Sequence, residues 1–298
     1  MSRVFPPPRT PPSGPWAETA VRRLRDGRLH DEIDHLALEA PLEIRLGGQA
    51  FTVLMRTPGH DEELVGGFLY SEGLVRDAGE IRALAHPESL LAGDCENVIA
   101  VELAEAPGQG ARDEVRDEVS GQAANARTRI PERTFYASAS CGVCGKSSIA
   151  DLAIQAPVVV SGLRIAAALL ETLPDRLRAV QPVFAATGGL HGAALFDTAG
   201  KLLAVREDIG RHNAVDKLIG WALGRGLLPL SATVLVVSGR LGFEIVQKAI
   251  VAGIPLVAAV GAASSIAVSL AERFGLTLAT FVKPGSLNLY GATERVTR

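Results

Sequence analysis

The chain has 298 residues, 47% hydrophobic and 21% charged, with Lys+Arg 30 against Asp+Glu 33 and a formal net charge of -3. That balance excludes general disorder and fibrous architecture, and the length suits two domains or one large α/β domain. With no global positive field, neither nucleic acid nor an anionic membrane is expected as a partner.

Residues Met1 to about Pro15 form a Pro-rich tail without apolar periodicity, and residues 1–35 as a whole read as tail and lead-in, with His30 and His35 as surface groups. The tail lacks the contiguous apolar stretch of a secretory signal, so the cytoplasm is the expected location. From about Leu36 the pattern becomes globular. Leu42 to Leu46, the turn Gly47-Gly48 and Phe51 to Met55 spell a β-hairpin. A helix is predicted next, capped by Thr57 before Pro58, with Asp61, Glu62 and Glu63 in its first turn, Leu64, Phe68 and Leu69 at helical spacing, and Gly73 as its stop. Asn97 to Leu103 reads as a strand. These elements make residues 36–134 a small α+β domain carrying a polar insertion at about 104–133, and residues 135–160 a mobile loop and connection.

Residues 161–298 alternate regularly. A helix around Arg164 to Thr172 leads into a hairpin, Gly192 to Phe196 and Leu202 to Arg206. Three helix–strand units follow: helix Asn213 to Leu223 with strand Thr233 to Val237, helix Phe243 to Ala252 with strand Pro255 to Val260, and helix Ser265 to Phe274 with strand Thr277 to Val282. Such alternation predicts an α/β fold with a mixed, largely parallel sheet covered on both faces. The uncharged run Ala249 to Ala271 is interrupted by Pro255, Gly261, Ser264 and Ser265, which favours a helix end, a buried strand and a helix start over a membrane span.

Three cysteines cannot build a disulfide framework in a chain this long, but Cys141-Gly-Val-Cys144 pairs two thiols beside Gly142, Gly145 and Lys146. Room and a nearby cation suit a reactive thiolate. Three functional readings fit, a redox pair, a sulfur-carrying or exchanging pair, and a zinc site that would recruit Cys95 and a histidine, beside the plain alternative of two unreactive cysteines. Cys95 otherwise reads as a small buried hydrophobe. His60-Asp61-Glu62 and His86-Pro87-Glu88 both satisfy the H-x-E of zinc deaminases, yet no proline precedes Cys141 and His60 falls in a first helical turn.

Strand ends supply a second candidate site, because ligands of open α/β sheets settle outside the carboxyl ends of strands. Ser238-Gly239-Arg240, Gly261 to Ser265, and Phe281-Val282-Lys283-Pro284-Gly285-Ser286 offer backbone N–H groups, hydroxyls and two cations suited to phosphate. Thr187 to Gly192 and Arg206 to Asn213 are dense in polar groups. Within them His212 leans toward function and Asp208 toward structure.

Five strings together resemble the FdhD family of formate dehydrogenase accessory sulfurtransferases: RTPGHDEELVGGFLYSEGLV (Arg56 to Val75), ASCGVCGK (Ala139 to Lys146), TGGLHGAALFD (Thr187 to Asp197), REDIGRHNAVDKLIG (Arg206 to Gly220) and the stretch from Ser238 to Lys283. The resemblance implies a cytidine deaminase-like fold in the second half. It implies a homodimer that takes persulfide sulfur from a cysteine desulfurase and passes it to the molybdenum or tungsten bis-guanine-dinucleotide cofactor of formate dehydrogenase. That cofactor is then a bound substrate, and no permanently bound metal is expected. By position Cys141 matches the persulfide-bearing cysteine and Cys144 its companion, while Phe281 to Ser286 matches the cofactor-binding segment. Ser238, Gly239, Arg240 and His212 join that segment as expected binding residues. Two other classes stay open, a non-catalytic cofactor chaperone and a zinc-dependent deaminase-like hydrolase.

Overall fold

The computed structural model describes residues 15–87, 95–104 and 156–298. Cys141, Cys144 and Lys146, nearly all of the polar insertion, and the side chain of Cys95 lie outside the described residues, as does the Pro-rich tail through residue 14.

The first pair of strands lies in the segment read as a lead-in. β1 (Trp16–Arg25) and β2 (Arg28–Ala37) pair antiparallel as a two-stranded arm. Period-two apolar patterning is weak here, and the strands are tied instead by Arg22–Asp31, Arg23–Glu32 and Arg23–Asp34 ion pairs of 3.2 Å. The predicted hairpin follows as β3 (Ala40–Leu46) and β4 (Gln49–Arg56), its turn built on Gly47 and Gly48 at φ 56 and 82. With β5 (Ile81–Ala85) and β6 (Val98–Leu103) it forms a four-stranded sheet of order β4-β3-β6-β5. Helix α1 (Asp61–Ser71) packs its Leu64, Val65 and Leu69 on that sheet against Leu42, Ile44 and Ile99. Its start differs from the sequence reading. The capping position is His60 in the left-handed region (φ 58), not Thr57, because Thr57 is held from outside the segment: its N–H donates to Asp208 Oδ2 (3.1 Å) and its Oγ1 accepts from Ile209 N–H (3.1 Å).

Between residues 164 and 190 the single predicted helix is replaced by β7 (Ile165–Ala166) and three short helices, α2 (Ala167–Leu170), α3 (Leu173–Ala179) and α4 (Pro182–Thr187). Pro174 and Pro182 sit in first turns, where a missing N–H costs nothing and the fixed φ restarts a helix. A six-stranded sheet then assembles from β8 (His191–Phe196), β9 (Leu202–Asp208), β10 (Val234–Val237), β11 (Leu256–Ala259), β12 (Thr277–Lys283) and β13 (Ser286–Gly291), in the order β13-β12-β11-β10-β8-β9. It is mixed, with parallel pairing confined to β10–β11–β12 and antiparallel strands on either side. β13 and the short β14 (Val296–Thr297), which pairs with β7, are additions to the sequence reading.

The central strands are apolar throughout because helices cover both faces. Leu235, Val237, Val257 and Leu278 point to the side covered by α5 (Arg211–Leu223), α6 (Phe243–Val251) and α7 (Ser265–Phe274). Val234, Val236, Leu256 and Ala279 point to the other side, against Leu170, Leu173 and Leu177. The run Ala249 to Ala271 resolves into the end of α6, β11 and the start of α7, and among the described residues no helix is long and apolar enough to cross a membrane. α7 is capped as its sequence suggests, with Ser264 Oγ accepting from Ala267 N–H (3.3 Å) and Gly275 left-handed at φ 72.

The two sheets are joined through α1 and α5. Gly67 of α1 faces Gly220 of α5, and a Cβ on either would overlap a backbone carbonyl of the other helix, at Asp216 or Glu63. Beside this contact Asp216 takes hydrogen bonds from Ser71 Oγ (2.9 Å) and Lys248 Nζ (2.7 Å), and burial pushes its carboxyl up against the pull of Lys248 and Ser71.

Candidate functional site

At the carboxyl ends of β10, β11 and β12, where the parallel strands stop and the chain turns into helices or a hairpin, two adjoining cavities open. The larger, about 410 Å³, is walled by α3 and α4 (Arg178, Gln181, Phe184), by His191 at the start of β8 and by Ser238 after β10. The smaller, about 330 Å³, is walled by Glu171 and by Phe281, Val282, Lys283 and Pro284. Pro174, Asp175 and Val260 border both.

The β12 wall is built with local strain. The β12–β13 register slips between Thr280 and Lys283, and within the slip Phe281 takes φ 51, a conformation unusual for a bulky residue. Its N–H donates to Gly261 O (3.2 Å), and its ring stays half exposed at the cavity. Strain of this kind persists only where surrounding structure fixes it, and it concentrates at ligand sites. The following turn at Gly285 is fixed from across the cavity, its N–H donating to Glu171 Oε2 (2.8 Å).

Behind the larger cavity the amino ends of α5 and α6 meet. His212 Nε2 lies 3.4 Å from Glu244 Oε2, and both side chains are largely buried. Burial raises the Glu244 carboxyl, but the adjacent His212 ring, a backbone N–H and the charges of His212 and Arg211 together hold it below the usual carboxylate range. His191 stands beside this pair and beside Gly239, where a Cβ would sit 3.5 Å from its ring. Burial first, then the charges of Arg211 and His212, hold its imidazole below 6.5, favouring the neutral ring. Ser238 Oγ accepts from Gly192 N–H (2.9 Å), which fixes the hydroxyl at the cavity rim.

The expected site residues therefore separate. Phe281, Val282, Lys283 and Pro284 line the smaller cavity, and Ser238 the larger. Gly285 and Ser286 form the exposed hairpin turn beyond, and Gly239 backs His191. Arg240 is exposed and packs against Gly261, and His212 lies behind the larger cavity rather than on its wall. The two H-x-E histidines stand elsewhere: His60 Nδ1 is 3.3 Å from Glu63 and His86 Nδ1 is 2.7 Å from Val98 O, while Glu88 lies outside the described residues. Sequence reading passed over Asp175 and Arg178 on α3 and Glu171 and Gln181 at the ends of α2 and α4, helices whose short length and double proline hid them.

The lowered histidines give a pH dependence of stability. An unfolded histidine takes a proton near 6.5 while His191 resists it, so the unfolded state binds more protons and stability falls as pH drops below about 6.5. His60, lowered by burial and then by Arg206, acts in the same direction. His191→Gln is expected to make the decline in melting temperature between about pH 7 and pH 5 shallower without abolishing it. An unchanged slope would show that His191 does not carry it.

The architecture defines the class: an α/β protein with two cavities at the carboxyl ends of its parallel strands, joined through a buried helix pair to a second, smaller sheet. A sequence profile described as the FdhD/NarQ family matches residues 37–297, and the chain belongs to that family. Relatives named sulfur carrier protein FdhD share its length. The one from Mycobacterium tuberculosis is 45% identical over 292 residues, covering 94% of this chain and 98% of its own. The one from Streptomyces avermitilis is 45% identical (93% and 94% covered), and that from Sulfurisphaera tokodaii is 40% identical (93% and 97%). A crystal structure described as a formate dehydrogenase accessory protein from Desulfotalea psychrophila superposes with a TM-score of 0.70 at 24% identity, covering 95% of this chain and all of that one, and supports the fold.

Proposed function

We infer that this protein is a sulfur carrier that serves formate dehydrogenase, moving persulfide sulfur from a cysteine desulfurase through Cys141 to the molybdenum or tungsten bis-guanine-dinucleotide cofactor. The cofactor is the substrate of the transfer. Full-length identity of 45% to relatives named sulfur carrier protein FdhD, together with the Cys141-Gly-Val-Cys144 pair, carries the reading. The resemblance extends it to a cytoplasmic homodimer.

In the first step the Cys141 thiolate attacks the outer sulfur of the donor persulfide. A new S–S bond forms at Cys141, the old one breaks, and the desulfurase thiolate leaves. Lys146, five residues along the chain, favours the thiolate form of Cys141. In the second step the Cys144 thiolate attacks the inner sulfur of Cys141, forming a Cys141–Cys144 disulfide and expelling hydrosulfide toward the metal. The outer sulfur is reduced as the two thiols are oxidised, and a dithiol reductant resets the pair. The strand-end cavities fit the nucleotide ends of such a substrate: Phe281 presents a ring face, Arg178 and Lys283 supply positive charge, and Ser238 a fixed hydroxyl.

The test is sulfur-dependent activation. Formate dehydrogenase loaded with cofactor but lacking its sulfido ligand, mixed with a cysteine desulfurase and cysteine, is expected to gain activity with the wild-type protein and none with Cys141→Ala. Cys144→Ala is expected to retain part of it, because the dithiol reductant can attack Cys141 in place of Cys144 and release the same hydrosulfide. Equal activation by wild type and Cys141→Ala removes Cys141 from the transfer.

A further inference from the structure

The wall between the two cavities carries a group that the transfer chemistry leaves unused. Asp175, in the first turn of α3, borders both cavities, and among the described residues its exposed carboxylate has no hydrogen-bond or ion-pair partner. Glu171, the other carboxylate of the smaller cavity, is committed through Oε2 to the Gly285 N–H. A second observation points to a bound polar group. Gln181, 3% exposed, lines the larger cavity, and among the described residues its Nε2 has no hydrogen-bond partner. The two cavities also differ in character. The smaller combines a carboxylate-rich wall with the Phe281 ring, and the larger gathers the donors Arg178, Gln181 and Ser238.

We propose that Asp175 selects the base of the bound nucleotide, accepting the N1–H and the 2-amino group of a guanine seated against Phe281, with the phosphates directed to the larger cavity. This rests on the reading that the cavities hold the guanine-nucleotide ends of the substrate. A carboxylate offers two acceptors and no donor, which matches the two adjacent donors on the Watson–Crick edge of guanine as a bidentate, charge-assisted pair. Adenine and cytosine present a ring-nitrogen acceptor at the corresponding place, so their lone pairs would face those of the carboxylate. The cost of leaving a site's polar groups wrongly paired exceeds what stacking can recover, so a cytosine dinucleotide is turned away by the same contact. Phe281 and Glu171 act as positioning residues here, one as the stacking face and one as the tie that keeps the Lys283 to Gly285 turn at the cavity.

The test is calorimetric titration of the full chain with guanosine, inosine, adenosine and xanthosine 5′-diphosphates. For the wild type, loss of the 2-amino group in the inosine nucleotide is expected to weaken binding about 10-fold, and the adenosine nucleotide to bind at least about 100-fold more weakly than the guanosine one. Asp175→Asn, at an exposed position the fold does not depend on, replaces one acceptor by a donor. It should lose about 10-fold for the guanosine nucleotide and gain for the xanthosine nucleotide, whose 2-oxo group accepts from the new amide. If the variant binds the guanosine nucleotide and keeps the wild-type ratio of guanosine to xanthosine binding, the assignment of Asp175 is overturned while the cavity reading stands. If the wild type binds no guanosine nucleotide, the cavity reading fails and the assignment falls with it.

Discussion

Asp208→Ala is expected to lower the unfolding free energy by about 3–5 kcal/mol, the range for breaking a buried charge pair by removing one partner. The carboxylate is fully buried and saturated. Oδ1 accepts from Gly210 N–H and Asn213 Nδ2 (2.8 Å each), and Oδ2 accepts from Thr57 N–H (3.1 Å) and pairs with Lys217 Nζ at 2.7 Å. Lys217 is itself 1% exposed and its ammonium also donates to Thr57 O (2.9 Å). Alanine would thus strand an ammonium and several donors between the two sheets. Adding Lys217→Met to Asp208→Ala, which removes the orphaned charge and keeps an apolar stem, is expected to recover part of the loss. Urea midpoints of the three proteins check this. A single-variant loss below about 1 kcal/mol would show that the pair is not what pins the sheets together.

Gly220→Ala is expected to cost about 3 kcal/mol or more for a different reason. Its Cβ would overlap the carbonyl oxygen of Glu63, and backbone cannot rotate away as a side chain would, so α1 must lift from α5 and open the packing of Leu64 and Leu69 beneath. Gly224→Ala at the end of the same helix provides the control. There φ is -63 and the nearest atom to an added Cβ is 3.5 Å away, so the substitution is expected to be neutral or to stabilise by about 0.4–1 kcal/mol. Similar melting temperatures for the two variants would contradict the close-contact account.

The second half was legible because its signals are local and strong. Uniformly apolar strands, Ser264 as a cap and Gly275 as a stop place α7 at Ser265–Phe274 from the sequence alone. What the sequence hid is long-range. Thr57 has the composition of a cap but is recruited by Asp208 and Ile209, more than 150 residues away, leaving His60 to start α1. The β1–β2 arm is held by cross-strand ion pairs, which leave little apolar alternation to read. The site was half visible. Phe281 to Pro284 and Ser238 reach the cavities by virtue of strand ends, a rule the sequence supports. Asp175 and Arg178 arrive on a seven-residue helix and Gln181 at the cap of a six-residue one, both started at prolines and too short for periodicity to register. His212 looked like a binding residue because it opens a helix in a polar string, yet its ring is turned to Glu244.

Sulfur carriage through Cys141 is the central claim, and the intact mass of the protein after incubation with a cysteine desulfurase and cysteine tests it most directly. Wild type and Cys144→Ala are expected to gain one sulfur that a thiol reductant removes, and Cys141→Ala to gain none. An equal gain on Cys141→Ala, or no gain on the wild type with a desulfurase shown to be active, would contradict the account and favour a protein that binds and delivers the cofactor without carrying sulfur.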